Sequence, residues 1–202
     1  MWGLVESGSI TKIISNPKAM VIGDVQYSRN IFSSRWTNAE REAIGIYEVE
    51  FDNTNKKDEA WYTNTNQSFA FAGGKITASY GSATAKAHAD TLFTAQDETD
   101  GLGTEGEVKT RGLKYNLIRD LKTTVANELS KTDWYITRNT EKSTAIPSAI
   151  STHRDAVRTK QAEMETAITN AANTPALETL YTYTTTDGVQ SRPLGELPTL
   201  ES

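Results

Sequence analysis

The sequence predicts an α+β protein: an N-terminal antiparallel β module over residues 1–81, then a C-terminal two-helix hairpin and a short tail. Three observations carry that reading. Residues 1–81 hold 11 of the 17 aromatic side chains, set in short extended runs between turn residues. Residues 107–174 place apolar side chains at mostly helical spacing. Threonine is the commonest residue, at 29, and its β-branched side chain suits strands and loops.

The elements follow in chain order. Residues 2–6 and 9–14 flank Ser7-Gly8 as a hairpin, and Asn16-Pro17 breaks the chain, because a residue before proline is pushed out of the helical region. A second hairpin joins residues 18–22 to 25–27 through Gly23-Asp24. Thr37 and Glu40 have capping-box spacing, so a short helix follows and Gly45 stops it. Tyr47, Val49 and Phe51 alternate with Glu48 and Glu50, the pattern of a half-buried strand. Phe69 and Phe71, then Gly73-Gly74, then Ile76, Ala78 and Tyr80 form the clearest hairpin.

Residues 82–106 read as a joint, an alanine-rich stretch expected to be helical followed by an acidic, glycine-rich loop. Val108, Tyr115, Ile118, Leu121, Val125 and Leu129 predict the first helix of the hairpin, although Gly112 inside this run costs about 1 kcal/mol. Residues 132–145 are expected to connect the two helices. Ile150, Val157, Met164 and Ala171 recur every seven residues, while Arg154, Gln161 and Ile168 fill the alternate positions. So polar a seam fits packing against the first helix better than a two-chain coiled coil. Thr174-Pro175 should end this helix. In the tail, 175–202, Tyr181 and Tyr183 precede Asp187-Gly188, a small hairpin.

Composition narrows the function. The 21 basic and 26 acidic side chains are spread over both halves, without the basic stripe of a nucleic-acid binder. Cysteine is absent, which removes disulfides and thiolate chemistry, and His88 and His153 are too far apart for a local metal motif. No apolar run approaches the roughly 20 residues of a membrane helix, and the N-terminus lacks signal-peptide character. Only 38 residues are Leu, Ile, Val or Phe, a thin core that invites burial against a partner or another copy of the chain.

No motif for catalysis or a cofactor emerges. His153-Arg154-Asp155 copies part of a kinase loop without the other kinase elements. Gly73-Gly74-Lys75 lacks the spacing of a phosphate loop, and carboxylate pairs such as Glu48 and Glu50 sit on an expected solvent face. Gln96, Glu98, Asp100, Gly101 and Glu107 match positions of a calcium-binding helix-loop-helix, with Glu98, Asp100 and Glu107 as the candidate ligands. Asn66-Gln67-Ser68 is a glycosylation triplet without a secretion signal.

One stretch carries a resemblance. Residues 127–134 end in Leu129-Ser-Lys-Thr132-Asp133-Trp134, and after a proline come Arg154, Val157 and Arg158. This resembles the C-terminal domain of bacteriophage tail assembly chaperone proteins, whose first helix ends in a Leu-Leu-x-x-Thr-Asp-Trp-type run before a Tyr-Arg-x-x-Leu-Arg-type run. Glu128 stands where that family has a second leucine, and His153 where it has an aromatic. The opening Trp2-Gly-Leu-Val-Glu hairpin is similar to that of tail-fibre assembly and tail-associated proteins. The resemblance implies a non-enzymatic tail component, structural or chaperone-like, acting in the virion tail or the host cytoplasm with other tail proteins as partners. Physically, Asp133 caps the turn, Trp134 covers the hairpin and offers its indole N–H to a partner, and Arg154 and Arg158 share a helix face for pairing with acids of the first helix or of another chain. Trp2, Trp36 and Trp61 are the expected partner anchors of the β module. Trp61 leads because it follows the charged run 53–59, and open sheet edges offer strand addition.

Overall fold

A computed structural model describes residues 1–65 and 67–200, so Asn66 of the Asn66-Gln67-Ser68 triplet lies outside the described residues. The chain divides into two compact units, the first over residues 1–84 and the second from residue 85 onward.

The first unit contains β1 (Trp2–Glu6), β2 (Ser9–Ile14), β3 (Met20–Ile22), β4 (Val25–Tyr27), a 3-10 turn at Arg29–Phe32 and α1 (Asn38–Ala43). These are followed by β5 (Ile46–Asp52), β6 (Tyr62–Thr63), β7 (Gln67–Ala72) and β8 (Lys75–Tyr80). The three hairpins and the short helix are those the turn residues predict. The Thr37 hydroxyl accepts the Glu40 amide at 3.3 Å, and the Glu40 carboxylate accepts the Thr37 amide at 2.7 Å, completing the capping box.

The sheet order is β2-β1-β5-β8-β7, and the sheet curls until its edge strands β2 and β7 approach each other. It is not wholly antiparallel: β5 runs parallel to β8, with Val49 opposite Ile76 and Phe51 opposite Ala78. Burial explains that placement. Ile76 and Ala78 of β8 are fully buried, whereas every second residue of β7 is exposed, so β7 takes the edge. One face packs Val5, Val49, Ile76 and Ala78 with Tyr47, Phe69 and Phe71. The other buries Leu4, Ile14 and Ile46 under Met20, Ile22, Phe32 and Ile44. Phe51 departs from its expected burial at 49% exposed, because it lies beyond the β1 pairing, which ends at Glu48.

At the division lies β9 (Thr84–Ala85), and the second unit continues with β10 (Thr91–Leu92), α2 (Ala95–Thr99) and β11 (Val108–Thr110). Then come α3 (Leu113–Ser130), α4 (Asp133–Lys142), α5 (Ser148–Asn170), α6 (Thr174–Tyr181), β12 (Thr184–Thr186) and β13 (Val189–Ser191). Helices α3 and α5 pack together as the heptad spacing predicts, with Leu121 and Val125 facing Ile150, Val157, Met164 and Ile168 in the buried set. The Asp187-Gly188 hairpin is present as β12 and β13.

Four expectations are corrected here. The alanine-rich stretch is extended up to residue 94, because its backbone caps α3: the Leu113 and Lys114 amides donate to the Ala87 and His88 carbonyls at 3.0 and 2.9 Å. Val108 belongs to a strand, and Gly112 precedes α3 rather than interrupting it, donating its amide to Asp90 at 2.8 Å. The connection between the long helices itself contains α4. Finally, Thr174-Pro175 opens a helix: Asn173 caps it and Pro175 sits in its first turn, where the missing amide costs nothing. No helix among the described residues is long and apolar enough to cross a membrane.

Candidate functional site

Helix α3 ends with carbonyls that have no partner inside the helix, and its dipole leaves that end negative. The residues that meet this end come from the run the sequence singled out. From α5, the Arg154 guanidinium donates one nitrogen, Nη1, to the Leu129 carbonyl and to the Thr132 hydroxyl, each at 2.7 Å. The same nitrogen lies 2.9 Å from a carboxylate oxygen of Asp133, in the first turn of α4. Arg154 is 7% exposed, so a cation buried between two helices finds its acceptors and its counter-charge at one corner. The Thr132 hydroxyl in turn donates to the Leu129 carbonyl at 3.0 Å.

Beside this corner His153 is buried, with Nε2 3.4 Å from Glu128 Oε1 but not hydrogen-bonded. Lys131, hydrogen-bonded to Glu128, holds that carboxyl below its ordinary range, and His153 adds a smaller pull in the same direction. Arg158 is not part of the cluster. It is exposed and reaches only Asp155, at 3.5 Å.

From this anchored turn α4 runs out with no buried residue along its length. Its first turn carries Trp134, 52% exposed, with the Tyr135 ring at a 3.8 Å centroid distance. The Arg138 guanidinium lies 5.9 Å from the Trp134 ring centre, and Ile136 is also exposed. A ten-residue helix is marginal on its own in water. Its apolar side chains, Trp134, Tyr135 and Ile136, come as one run in the first turn rather than recurring along the helix, which is why sequence periodicity missed it. The available signal was charge: Asp133 at its start and Lys142 at its end both suit a helix dipole.

Compared with known proteins, the chain matches no family model, no curated sequence and no solved structure. The site is therefore read from its own geometry.

The remaining candidate anchors are engaged within the first unit. Trp2 is half-buried, with Phe32 at 5.9 Å and the Arg41 guanidinium 4.6 Å from its ring centre. Trp36 is half-buried, edge-on to Tyr27 at 6.1 Å. Trp61 is 8% exposed, which corrects its place as the leading surface anchor: residues 53–60 before it are exposed while its own indole is buried. Among the tryptophans, Trp134 presents the most surface. Glu48 and Glu50 share the β5 face of Ile46 but are exposed beyond its buried part, and Glu50 pairs with Lys75 at 2.8 Å.

The acidic loop has a different construction from the calcium motif. It is flanked by β10 and β11 rather than by two helices, and no group of three acidic or histidine side chains able to hold a metal occurs among the described residues. Glu98, Asp100 and Glu107 are not brought together as ligands. The Gln96 amide donates to Asp100 at 2.8 Å, and the Glu98 carboxylate accepts the Glu105 amide at 3.2 Å. The loop's best-held acid is Asp97, which caps α2 with Thr94 and lies 2.6 Å from the Lys109 ammonium. The Lys109 hydrogen bond, followed by those from Thr94, pulls the Asp97 carboxyl down to about 2. A carboxyl depressed on folding stabilises above its unfolded value and loses that contribution as pH falls through its folded value. Carbon-detected NMR titration is expected to give Asp97 a midpoint near 2, with amide protection in residues 94–106 weakening between pH 4 and 2. In Lys109→Ala the Asp97 midpoint should return toward 3.8.

Proposed function

We propose that this protein is a non-enzymatic component of a bacteriophage tail, a structural or tail-fibre assembly protein that binds other tail proteins and stays in the virion. The observation that carries the reading is α4, a helix with no fully buried residue that presents Trp134 and Ile136 from a turn anchored by Arg154. Exposed aromatic anchors next to a cation are typical of the residues that carry interface energy. The residues shared with tail assembly chaperones support it too: Leu129, Thr132, Asp133 and Arg154 meet at one corner, and their arrangement serves to aim Trp134 outward. Arg158, the other arginine of the resemblance, stands in solvent and does not join this corner.

Two measurements test this. Mass spectrometry of purified particles is expected to find the chain in the tail, at the virion location proposed. Its absence from particles, with presence in the assembling host cytoplasm, would make it an assembly chaperone that departs. Trp134→Ala should remove the chain from particles, or from its assembly partners, while changing folding stability by no more than about 0.5 kcal/mol. Unchanged incorporation of that variant would defeat the role given to α4.

A further inference from the structure

The chain beyond α6 is built as a piece of its own. Residues 182–193 include no buried side chain, and both strands of the β12–β13 hairpin are exposed throughout. Three side chains clasp this excursion at its base. The Tyr183 hydroxyl donates to Glu196 at 2.6 Å, Arg192 lies 2.8 Å from the same carboxylate, and its guanidinium also donates to the Gly195 carbonyl at 3.2 Å. These bonds run within residues 183–196, so they hold the arm's shape without fastening it to the helices. The Gly195 amide closes a turn on the Arg192 carbonyl at 2.9 Å, with Pro193 at the second position, where its fixed φ suits a turn. That turn presents Leu194. It is 3% exposed, and its amide donates to the Leu180 carbonyl at 3.0 Å, at the end of α6 where carbonyls lack helical partners. Among the described residues, this is the one hydrogen bond from residues 183–199 to a helix. Past Leu194 the arm crosses a groove without filling it. A cavity of about 460 Å³ remains, lined by Leu117, Leu121 and Met164 of the helices and by Leu194, Leu197 and Pro198 of the arm.

We propose that residues 183–199 are a hinged strap that opens and closes over this groove as one unit while α3, α5 and α6 stay folded. Atoms that line a void forfeit part of their dispersion contacts, so the stretch over the cavity adds little to closure. A segment with one buried side chain and one backbone tie opens at far lower cost than helices packed along their length. The clasp of Tyr183, Arg192 and Glu196 survives opening, because all three side chains travel with the strap. The hinge lies just after Thr182, whose amide and hydroxyl both donate to the Glu178 carbonyl, at 2.9 and 2.8 Å, and so stay with α6. Closed, Leu194 plugs the end of the groove. Open, the strap uncovers apolar Leu117, Leu121 and Met164, and so controls access to that groove. The strap is independent of the tail reading and of α4.

Hydrogen exchange of the full chain, read by NMR, tests this without any substitution. The Leu194 amide is expected to be protected, yet to exchange at least about tenfold faster than the Leu121 and Val157 amides. Low urea should leave the Leu194 rate unchanged and raise the helix rates, since opening the strap exposes little surface. A Leu194 amide with the rate and urea dependence of the helices would overturn the proposal, because strap and helices would then open only together. An unprotected Leu194 amide would overturn it too, because the strap would never close. Access to the groove gives a second readout. The chain has no cysteine, so Met164→Cys reports opening through its rate of thiol labelling. Adding Leu194→Ala should raise that rate at least about tenfold. The same addition should leave labelling of Val125→Cys unchanged, since Val125 is buried outside the cavity. Circular dichroism checks that each variant folds. Acceleration at both positions, or at neither, would overturn the proposal equally.

Discussion

Replacing Arg154 with alanine is expected to destabilise the helical unit by about 2–4 kcal/mol, lowering its melting temperature by about 10 °C. The loss has two sources. The Leu129 carbonyl and the Thr132 hydroxyl lose a charged donor at a buried corner, where hydrogen bonds to charged groups are worth about 1.5–3 kcal/mol. The buried alkyl stem also leaves a void. Asp133 contributes less, because its carboxylate is 59% exposed and water can replace the guanidinium. Arg154→Lys should recover part of the loss, since the acceptors converge on one nitrogen that an ammonium can replace, although its side chain is one bond shorter. Arg158→Ala, on the same helix face but in solvent, should change stability by less than about 0.5 kcal/mol. Thermal melts of the three variants make the comparison. Equal effects at 154 and 158 would mean that the corner is not what holds α3 and α5 together.

A second large effect is expected in the first unit from Gly45→Ala, at about 2–5 kcal/mol. Gly45 has φ +81° at the exit of α1, and its carbonyl accepts the Val5 amide at 2.8 Å. A methyl group there would meet the Val5 carbonyl oxygen at 2.5 Å, and a backbone atom paired into β1 cannot step aside. Left-handed strain contributes about 1–3 kcal/mol and the forced overlap a similar amount. Gly74→Ala separates the two. Its φ is +77° but nothing lies within 4 Å of the added methyl, so only the strain remains. Urea unfolding followed by the fluorescence of buried Trp61 should therefore rank Gly45→Ala well below Gly74→Ala in stability. If the two variants unfold at the same urea concentration, the contact with Val5 carries no energy.

Both positions show how far local sequence reaches. Gly45 is legible as a helix stop from its place after the Thr37–Glu40 box, because capping and left-handed termination involve atoms a few residues apart. That its hydrogen also leaves room for the Val5 carbonyl is a fact about β1, forty residues earlier. Arg154 stands out in the sequence as the cation of a half-polar heptad seam and as part of the tail-chaperone resemblance. Its acceptors were not legible, since Leu129 lies in the last turn of α3 and Thr132 in the turn after it, more than twenty residues earlier. Trp61 and Trp134 trade places for the same reason. Flanking polarity predicts an exposed Trp61, yet it is buried, while Trp134, expected over a turn, opens a helix and is half exposed.

By itself the sequence determined the α+β class with strands first and helices after, the hairpin turns, the capping box and the heptad seam of α5. Each of these depends on interactions within a few residues, or on a periodicity that one face of an element must obey. Tertiary structure alone decided that β5 pairs in parallel with β8, that residues 85–94 stay out of a helix and cap α3, and that α4 has no fully buried residue. These choices turn on which distant backbone groups need partners and which apolar faces need cover. A chain satisfies such needs only when its elements meet, so no local pattern records them.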